Sequence, residues 1–478
     1  MDVSVNASPV APPLRRIADL PGPRGLPLIG NAWQLDSLQF HQGLENWACE
    51  YGPMYKIKLG RKPILIISDN ALIAGLLRDR PDAVRRSSRT STILTELGTT
   101  GVFSNEGEEW RKERKLVMRG LTPDVIKRFF PTMVMMTERL RQRWMAAAIT
   151  GRKIDLLRDL KAYALDITLG LAMGQDVNCL EHDANPLQRD IEMIFYRIAR
   201  RLTAPIAYWR RFKLPADRAA DAAGIRIREA VRGFIEQARH QLAASPERAA
   251  KPVNMLEALL VARDEPDSGF TDDNVVGNAI TMVFAGEDTT SNTIAWLLNF
   301  VARHADVAAA VRSEADAVLG DAMVLQDFAG LDQFDYLDAA NNEAMRLKPV
   351  APILGFETNR DMAIGDVLAP AGTIMLASLR TGGMSAHNFE KPNVFSPERW
   401  LEGGMATSDD PARKLFPFGG GPRFCPGRFL ALAEVRMVTS MLTRNFTLNF
   451  DRSAPPVKEM FTFTMTPSSL PVTLSLRT

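Results

Sequence analysis

The sequence lacks several features that define common classes of protein. It has three cysteines in 478 residues, Cys49, Cys179 and Cys425. Their wide spacing excludes a disulfide framework and a four-cysteine zinc or iron–sulfur site, and it suggests a reducing compartment. An excess of one charge is also lacking, since Lys plus Arg number 58 and Asp plus Glu number 56. The chain therefore has no basic excess of the kind expected for a nucleic-acid-binding protein.

Long apolar runs are also missing. The most apolar internal runs, such as Ala295–Ala302, fall well short of the roughly 18 residues that span a bilayer. Residues 1–20 lack the apolar core of a signal peptide. We therefore expect a soluble cytoplasmic protein without a transmembrane segment.

Helical spacing covers most of residues 105–345, and strand patterns occur near both ends of the chain. Residues 243–252 are small and polar and are expected to form a surface connection. The clearest predicted helices are Asp273–His304, Asp335–Lys348 and Leu430–Leu442. The clearest predicted strands are a hairpin at Met54–Leu59 and Ile64–Ile67, then Thr373–Ser378 and Val472–Leu476. The predicted fold class is mainly α with small β-sheets.

One cysteine lies between a glycine-rich loop and the start of a helix. Gly419 and Gly421 allow the backbone to approach a flat ligand closely. Cys425 precedes a helix N-terminus, whose partial positive charge favours a thiolate. Arg423 carries a permanent charge suited to a carboxylate. On residue types alone, a buried structural cysteine after a glycine-rich loop is an equally good interpretation.

A second unusual segment lies inside the longest predicted helix. Ala285, Gly286, Asp288 and Thr289 belong to the stretch Ala-Gly-Glu-Asp-Thr-Thr, and glycine and paired threonines are poor helix formers. The Thr289 hydroxyl can bond the carbonyl of Ala285, four residues earlier, and so leave a niche beside a bound ligand. Asp288 offers a carboxyl as a proton source. The alternative is a tolerated kink without function.

Both segments resemble motifs of the cytochrome P-450 family. The haem-binding signature Phe-x-x-Gly-x-Arg-x-Cys-x-Gly is matched by Phe418, Gly421, Arg423, Cys425 and Gly427. Residues 285–290 resemble the family's oxygen-activating motif. The resemblance implies a soluble, bacterial-type member with one haem b domain over residues 21–478, preceded by a flexible leader at 1–20.

The resemblance also implies roles for the residues of both motifs. Cys425 becomes the thiolate ligand of the haem iron. Thr289 holds a water-linked hydrogen bond to bound dioxygen, and Asp288 relays protons. Further haem contacts come from Gly419, Ala285 and Gly286.

Three other matches concern the surroundings of the haem. Trp110 and Arg114 lie at i and i+4 and resemble the family's Trp-x-x-x-Arg, which binds a haem propionate; an amphipathic basic helix is the alternative. Glu343 and Arg346, with Arg399, resemble the structural Glu-x-x-Arg and Pro-Glu-Arg segments behind the haem loop. At position 356, where many members carry another propionate-binding arginine, this chain has phenylalanine, so a different group must serve.

Substrate contacts are placed by analogy to the family's contact regions, and each of these residues could equally be ordinary core. Their apolar character implies a hydrophobic substrate. They are Val102, Phe103, Thr281, Phe284, Ile353, Leu354, Phe461 and Phe463.

Electrons are expected from a separate ferredoxin or flavodoxin with an NAD(P)H-dependent reductase, since the sequence has no dinucleotide fingerprint and no ferredoxin cysteines. A basic cluster would attract this partner, although a merely solvated face is the alternative. It comprises Arg111, Lys112, Arg114, Lys115, Arg119, Arg413 and Lys414.

The sequence thus predicts a monomeric monooxygenase that inserts one oxygen atom of O2 into a hydrophobic small molecule. Two other readings stay open. One is a peroxygenase, which takes its oxygen from peroxide and needs no acid–alcohol pair. The other is a haem-thiolate sensor or carrier, which would keep Cys425 alone.

Overall fold

Helices account for most of the computed structural model, which describes residues 13–60, 62–181, 185–266, 268–401, 415–451 and 455–477. The helices are α1 Phe40–Tyr51, α2 Asn70–Arg78, α3 Ser88–Glu96, α4 Gly107–Arg119, α5 Pro123–Thr150, α6 Leu156–Met173, α7 Pro186–Thr203, α8 Pro215–Ala244, α9 Pro246–Ala250, α10 Met255–Asp264, α11 Asp272–Val301, α12 Ala305–Leu319, α13 Asp335–Leu347, α14 Leu379–Gly383 and α15 Arg428–Asn445.

The strands are short and lie mainly towards the two ends of the chain. They are β1 Arg15–Arg16, β2 Met54–Leu59, β3 Lys62–Ile67, β4 Val84–Arg86, β5 Ile154–Asp155, β6 Ile353–Thr358, β7 Met362–Ile364, β8 Val367–Ala369, β9 Ile374–Ser378, β10 Phe446–Phe450, β11 Glu459–Thr462, β12 Thr464–Pro467 and β13 Pro471–Leu476. The largest sheet has the order β2-β3-β9-β6-β4. The smaller sheets are β1-β8-β7, β10-β13-β5 and the hairpin β11-β12.

Helix α11 runs through the centre of the molecule. It begins at a capping box in which the Thr271 side chain accepts from the Asn274 backbone N–H and the Asn274 side chain accepts from the Thr271 backbone N–H. Most of its residues are buried. Gly286 allows helix α6 to approach closely, since a Cβ at this position would lie 2.0 Å from Thr168 Oγ1. The glycine that is costly for helix propensity is therefore required by packing between the two helices.

The predicted fold class is confirmed, as are the hairpin and the three long helices to within a few residues at each end. The connection predicted over residues 243–252 contains the short helix α9. Within the segment predicted as a leader, Arg15 and Arg16 pair in parallel with Val367 and Leu368. Arg15 also binds Asp366 across that edge. Residues 1–12 of the predicted leader lie outside the described residues.

The described helices were also compared with the requirements of a membrane span. No single one combines the necessary length with sufficient apolar character. Helices α11 and α12 meet these requirements only together, and they are bent by 116° relative to each other.

Candidate active site

A large internal cavity lies between α4, α11, the loop before α15, strand β6 and the β11–β12 hairpin. All eight residues that were predicted to contact substrate line it. So do ten of the other predicted site residues, which are Trp110, Arg114, Ala285, Gly286, Thr289, Phe418, Gly419, Arg423, Cys425 and Gly427. The fold therefore brings together residues separated by more than 300 positions in the chain.

Cys425 is held at one wall of this cavity by its own loop. Its backbone N–H donates to the carbonyl of Phe418 at 2.9 Å, which closes the loop upon itself. Burial raises the pKa of the Cys425 thiol, against the opposing effects of the Gly427 backbone N–H and the Arg114 guanidinium. The sequence argument that the helix N-terminus favours a thiolate is thus outweighed by burial in the protein alone. A cationic metal bound to the sulfur would reverse this balance.

The two loop glycines have different roles. Gly419 lines the cavity and has a φ of 71°, in the left-handed region that favours glycine. Gly421 is not among the residues that line the cavity. Its Cβ position would lie 2.1 Å from the carbonyl oxygen of Leu77, and its φ is 63°. Gly421 therefore lets the loop pack against the end of α2.

Arg423 and Arg114 both contact aromatic rings beside the cysteine. The Arg423 guanidinium carbon lies 4.3 Å from the centroid of the Trp110 ring, and its Nη2 donates to Glu106 at 2.6 Å. Arg114 lies over the Phe424 ring and donates to the Phe424 carbonyl at 2.6 Å. Stacking on an aromatic face leaves the remaining N–H groups of a guanidinium available for an acidic ligand.

The cavity wall carries an excess of positive charge. Its cationic residues are Arg80, Arg86, Arg89, Arg114 and Arg423. The acidic residue on the described wall is Glu434, and burial raises its pKa well above the usual range. Arg80 and Arg423 also contain buried N–H groups without a hydrogen-bond partner. The arginines, the apolar walls and Cys425 together fit a flat ligand that carries carboxylates and a thiolate-binding metal.

Opposite the cysteine loop, α11 presents hydroxyl groups to the cavity. Thr289 Oγ1 donates to the carbonyl of Ala285 at 2.8 Å, which is the local contact that the sequence predicted. Thr168 on α6 also lines the cavity, and its Oγ1 has no hydrogen-bond partner among the described residues. The wall therefore offers two hydroxyls near the niche at Gly286.

Asp288, which the sequence suggested as a proton source, lies behind the cavity wall. Its side chain is buried and is not part of the cavity wall. Lys161 Nζ lies 3.2 Å from Asp288 Oδ1, and the hydroxyl of Thr464 donates to Oδ2. Thr464 does line the cavity. Any exchange of protons between Asp288 and the cavity must therefore pass through a neighbour such as Thr464.

Comparison with known proteins places this site in a family. A family model for cytochrome P-450 matches residues 20–474. The chain belongs to the cytochrome P-450 family. It is accordingly a haem-thiolate monooxygenase, an oxidoreductase, and membership implies a cysteine-ligated haem.

Individual relatives of this P-450 are distant but cover nearly the whole chain. The mitochondrial 25-hydroxyvitamin D-1 alpha hydroxylase of Mus musculus is 26% identical, and the match covers 96% of this chain and 92% of that protein. Cytochrome P-450 3A6 of Oryctolagus cuniculus is 25% identical, and the match covers 90% of this chain and 85% of that protein. The crystal structure of a cytochrome P-450, CYP102L1, has a TM-score of 0.79 at 25% identity, and the match covers 96% of this chain and 99% of that one.

The structural triad of this P-450 forms a buried ion network. Glu343 accepts hydrogen bonds from Arg346 Nη2 at 2.7 Å, from Arg399 Nε at 3.0 Å and from Trp400 Nε1 at 2.9 Å. Burial would raise the pKa of Glu343, but the hydrogen bonds from Arg346 lower it overall. Arg346 also donates to three backbone carbonyls, including that of Gly383 at 2.6 Å. The network ties α13 to the segment before the haem loop.

Aromatic rings form another wall of the P-450 cavity. Phe463 has a φ of 81°, which is unusual for a residue other than glycine, and contacts Phe103 and Phe195. Phe195 on α7 contacts Phe284 as well. The sequence analysis missed Phe195, since it is one of many apolar residues in an ordinary amphipathic helix.

The predicted basic cluster does not form one uniform surface. Arg111 is paired with Asp82 and Glu108, while Lys112 lines a separate polar cleft with Glu109 and Glu113. Arg114 points into the P-450 cavity wall. Lys115 and Arg119 are exposed. Arg413 and Lys414 lie outside the described residues.

Other functional positions that the sequence analysis missed are Arg80, Arg86, Lys161 and Thr464. Arg80 and Arg86 did have a signal, since five arginines occur between residues 78 and 89. Lys161 and Thr464 had none, because each lies far along the chain from Asp288.

Proposed function

We propose that this cytochrome P-450 inserts one oxygen atom of O2 into a hydrophobic small molecule, using electrons from a separate redox protein. The observation that carries the proposal is the single cavity in which Cys425, Thr289 and the aromatic wall meet. Haem b would be held by Cys425 at the iron and by Trp110, Arg114 and Arg423 at the propionates. When bound, the haem supplies an iron at which dioxygen is activated.

The protein's own residues would then orient the substrate and handle protons. Phe103, Phe195, Phe284 and Phe463 favour an apolar substrate, because burial of its surface against rings is the main source of binding energy there. Thr289 would hold a proton at Oγ1, and Thr464 Oγ1 would connect the cavity to the buried Asp288 carboxylate. Hydroxylation of a fatty acid, terpenoid, steroid or aromatic compound fits this arrangement.

The redox partner would bind where the protein surface lies nearest to Cys425. Phe424 precedes the cysteine and is 43% exposed, which is unusual for a large apolar side chain next to such a site. Arg428 and Lys115 are exposed and basic. A ferredoxin or flavodoxin with an acidic surface and an apolar centre matches this combination.

The test is turnover of a hydrophobic library under ¹⁸O2 with a surrogate ferredoxin and reductase. Compounds are chosen first by the high-spin shift that they cause on binding. One labelled oxygen atom in the product, dependent on NAD(P)H, supports the proposal. Product that forms from peroxide but carries no label from O2 would establish a peroxygenase instead, and high-spin shifts without any product would indicate a sensor or carrier.

A further inference from the structure

Arg80 is a buried cation without a carboxylate in hydrogen-bond contact. Its side chain is 6% exposed, and its Nε and Nη2 have no hydrogen-bond partner within the part of the chain that the structure describes. The nearest carboxylate oxygen is Glu106 Oε1, 3.9 Å from Nη2. That carboxylate is already occupied, because Glu106 accepts from Arg423 Nη2 at 2.6 Å and from the Arg86 backbone N–H at 2.9 Å. A buried guanidinium with two nitrogens that lack a hydrogen bond is unfavourable, so the fold holds Arg80 in a place where a further anion would stabilise it.

The position of Arg80 coincides with a gap in the expected cofactor contacts. Its guanidinium carbon lies 5.3 Å from the centroid of the Phe356 ring, and Phe356 occupies the position at which a propionate-binding arginine was expected. Phe356 is fully buried on β6. Arg80 reaches this place from the segment between α2 and β4, and it lines the same cavity as Cys425.

The neighbouring arginines are oriented by other contacts. Arg86 donates through Nε to the Phe103 carbonyl at 2.8 Å, and its guanidinium lies 3.9 Å from the centroid of the Phe103 ring. Arg89 donates to the carbonyls of Arg201 and Ala204. Among the cavity arginines of the described chain, Arg80 differs from its neighbours because two of its buried nitrogens, Nε and Nη2, make no hydrogen bond.

We propose that Arg80 binds a haem propionate and supplies the positive charge that position 356 lacks. This inference rests on the proposed haem site in the same cavity. Contact with the Phe356 ring helps to hold the guanidinium in place. The edge formed by Nε and Nη2 can then receive the two oxygens of a carboxylate.

The test compares haem retention in ferric holoenzyme carrying Arg80→Met with that of the wild type. The readout is the rate at which haem transfers to excess apomyoglobin. Loss of one charge-assisted hydrogen bond predicts transfer about tenfold faster or more. Arg78→Met is the matched control, since Arg78 is an exposed arginine two residues away that does not line the cavity. It should release haem at the wild-type rate.

Two further measurements separate propionate binding from a merely structural role. The ferric–ferrous midpoint potential of Arg80→Met should become more negative, because a nearby cation favours the reduced haem. The double variant Arg80→Met/Phe356→Arg should recover slow haem release. Haem release and a potential equal to those of the wild type in Arg80→Met would overturn the inference.

The outcomes remain separable from failure of the proposed haem site. A wild-type protein that binds no haem would refute that site itself. A wild type that holds haem, with Arg80→Met releasing it at the same rate, would refute only the role of Arg80. Should Arg80→Met give no folded holoenzyme, Arg80→Gln retains N–H donors without charge, and its haem release decides the question by the same criterion.

Discussion

Lys161 Nζ lies 3.2 Å from Asp288 Oδ1, in the interface between α6 and α11. Burial lowers the pKa of Lys161, but Asp288, Glu287 and Glu192 outweigh that effect and raise it above its usual value. The lysine is therefore charged at neutral pH. It neutralises a carboxylate that would otherwise be buried without a counter-ion, next to the residues that are proposed to handle protons.

The first prediction concerns stability. Lys161→Met should lower the free energy of unfolding by about 3–5 kcal/mol, because it leaves the buried Asp288 carboxylate unpaired. Adding Asp288→Asn should restore part of that loss. Lys153→Met, which breaks the exposed pair with Asp451, is the control and should cost about 0–1 kcal/mol. Urea unfolding of the holoproteins measures the wild type and the three variants. Equal losses for Lys161→Met and Lys153→Met would contradict the prediction.

The second prediction concerns the Thr289 hydroxyl. Thr289→Ala should keep its haem but form less product per NAD(P)H consumed, with the difference appearing as peroxide. The physical reason is loss of a hydroxyl that α11 presents to the cavity close to Gly286. Thr289→Ser keeps the hydroxyl and should remain well coupled. Unchanged coupling in Thr289→Ala would remove this residue from the mechanism.

The third prediction concerns Glu343. Glu343→Gln leaves the buried Arg346 and the partly buried Arg399 without this counter-charge and should cost about 3–5 kcal/mol. Because the pKa of Glu343 is lowered in the folded state, its contribution is present above the unfolded pKa of about 4.3 and is lost as the pH falls through the folded value.

Urea unfolding between pH 7 and about pH 3 tests this sign. The gap between wild type and Glu343→Gln should be largest near pH 7 and begin to narrow only below about pH 4.3. Glu390→Gln, at an exposed position, is the control and should lie within about 1 kcal/mol of the wild type. A gap that stays constant into the acid range would contradict the assigned direction.

The fourth prediction concerns the redox partner. Lys115→Glu should be reduced more slowly than the wild type by an acidic ferredoxin, because exposed charges steer association. Added salt should slow the reduction of the wild type for the same reason. Lys112→Glu should have the smaller effect, since Lys112 lines a cleft that already contains Glu109 and Glu113. Stopped-flow reduction measures both variants. Rates that do not depend on salt would refute electrostatic steering.

Much of this could be predicted from the sequence, because the decisive residues lie in short contiguous motifs. The loop around Cys425 and the segment around Thr289 were found from their residue types and from their resemblance to family motifs, and the residues expected near substrate do share one cavity. The partners of those residues could not be found. Lys161 and Thr464 meet Asp288 only through packing of α6 and the β11–β12 hairpin against α11, and such contacts leave no local pattern.

The packing roles of two motif glycines could not be predicted for a related reason. A Cβ at Gly421 would collide with the backbone of Leu77, and a Cβ at Gly286, which lines the cavity, would collide with Thr168. Only the folded arrangement reveals which neighbour a Cβ would strike. The arginine at position 80 is the converse case, since its importance follows from its unpaired N–H groups rather than from its place in the sequence.

The most direct test of the central claim is the ferrous–carbon monoxide difference spectrum of wild type and Cys425→Ala. If Cys425 is the thiolate ligand, the wild type shows the strongly red-shifted Soret band of a thiolate haem and Cys425→Ala loses it. Persistence of that band in Cys425→Ala, or its absence from haem-loaded wild type, would contradict the assignment of Cys425 and with it the proposed site.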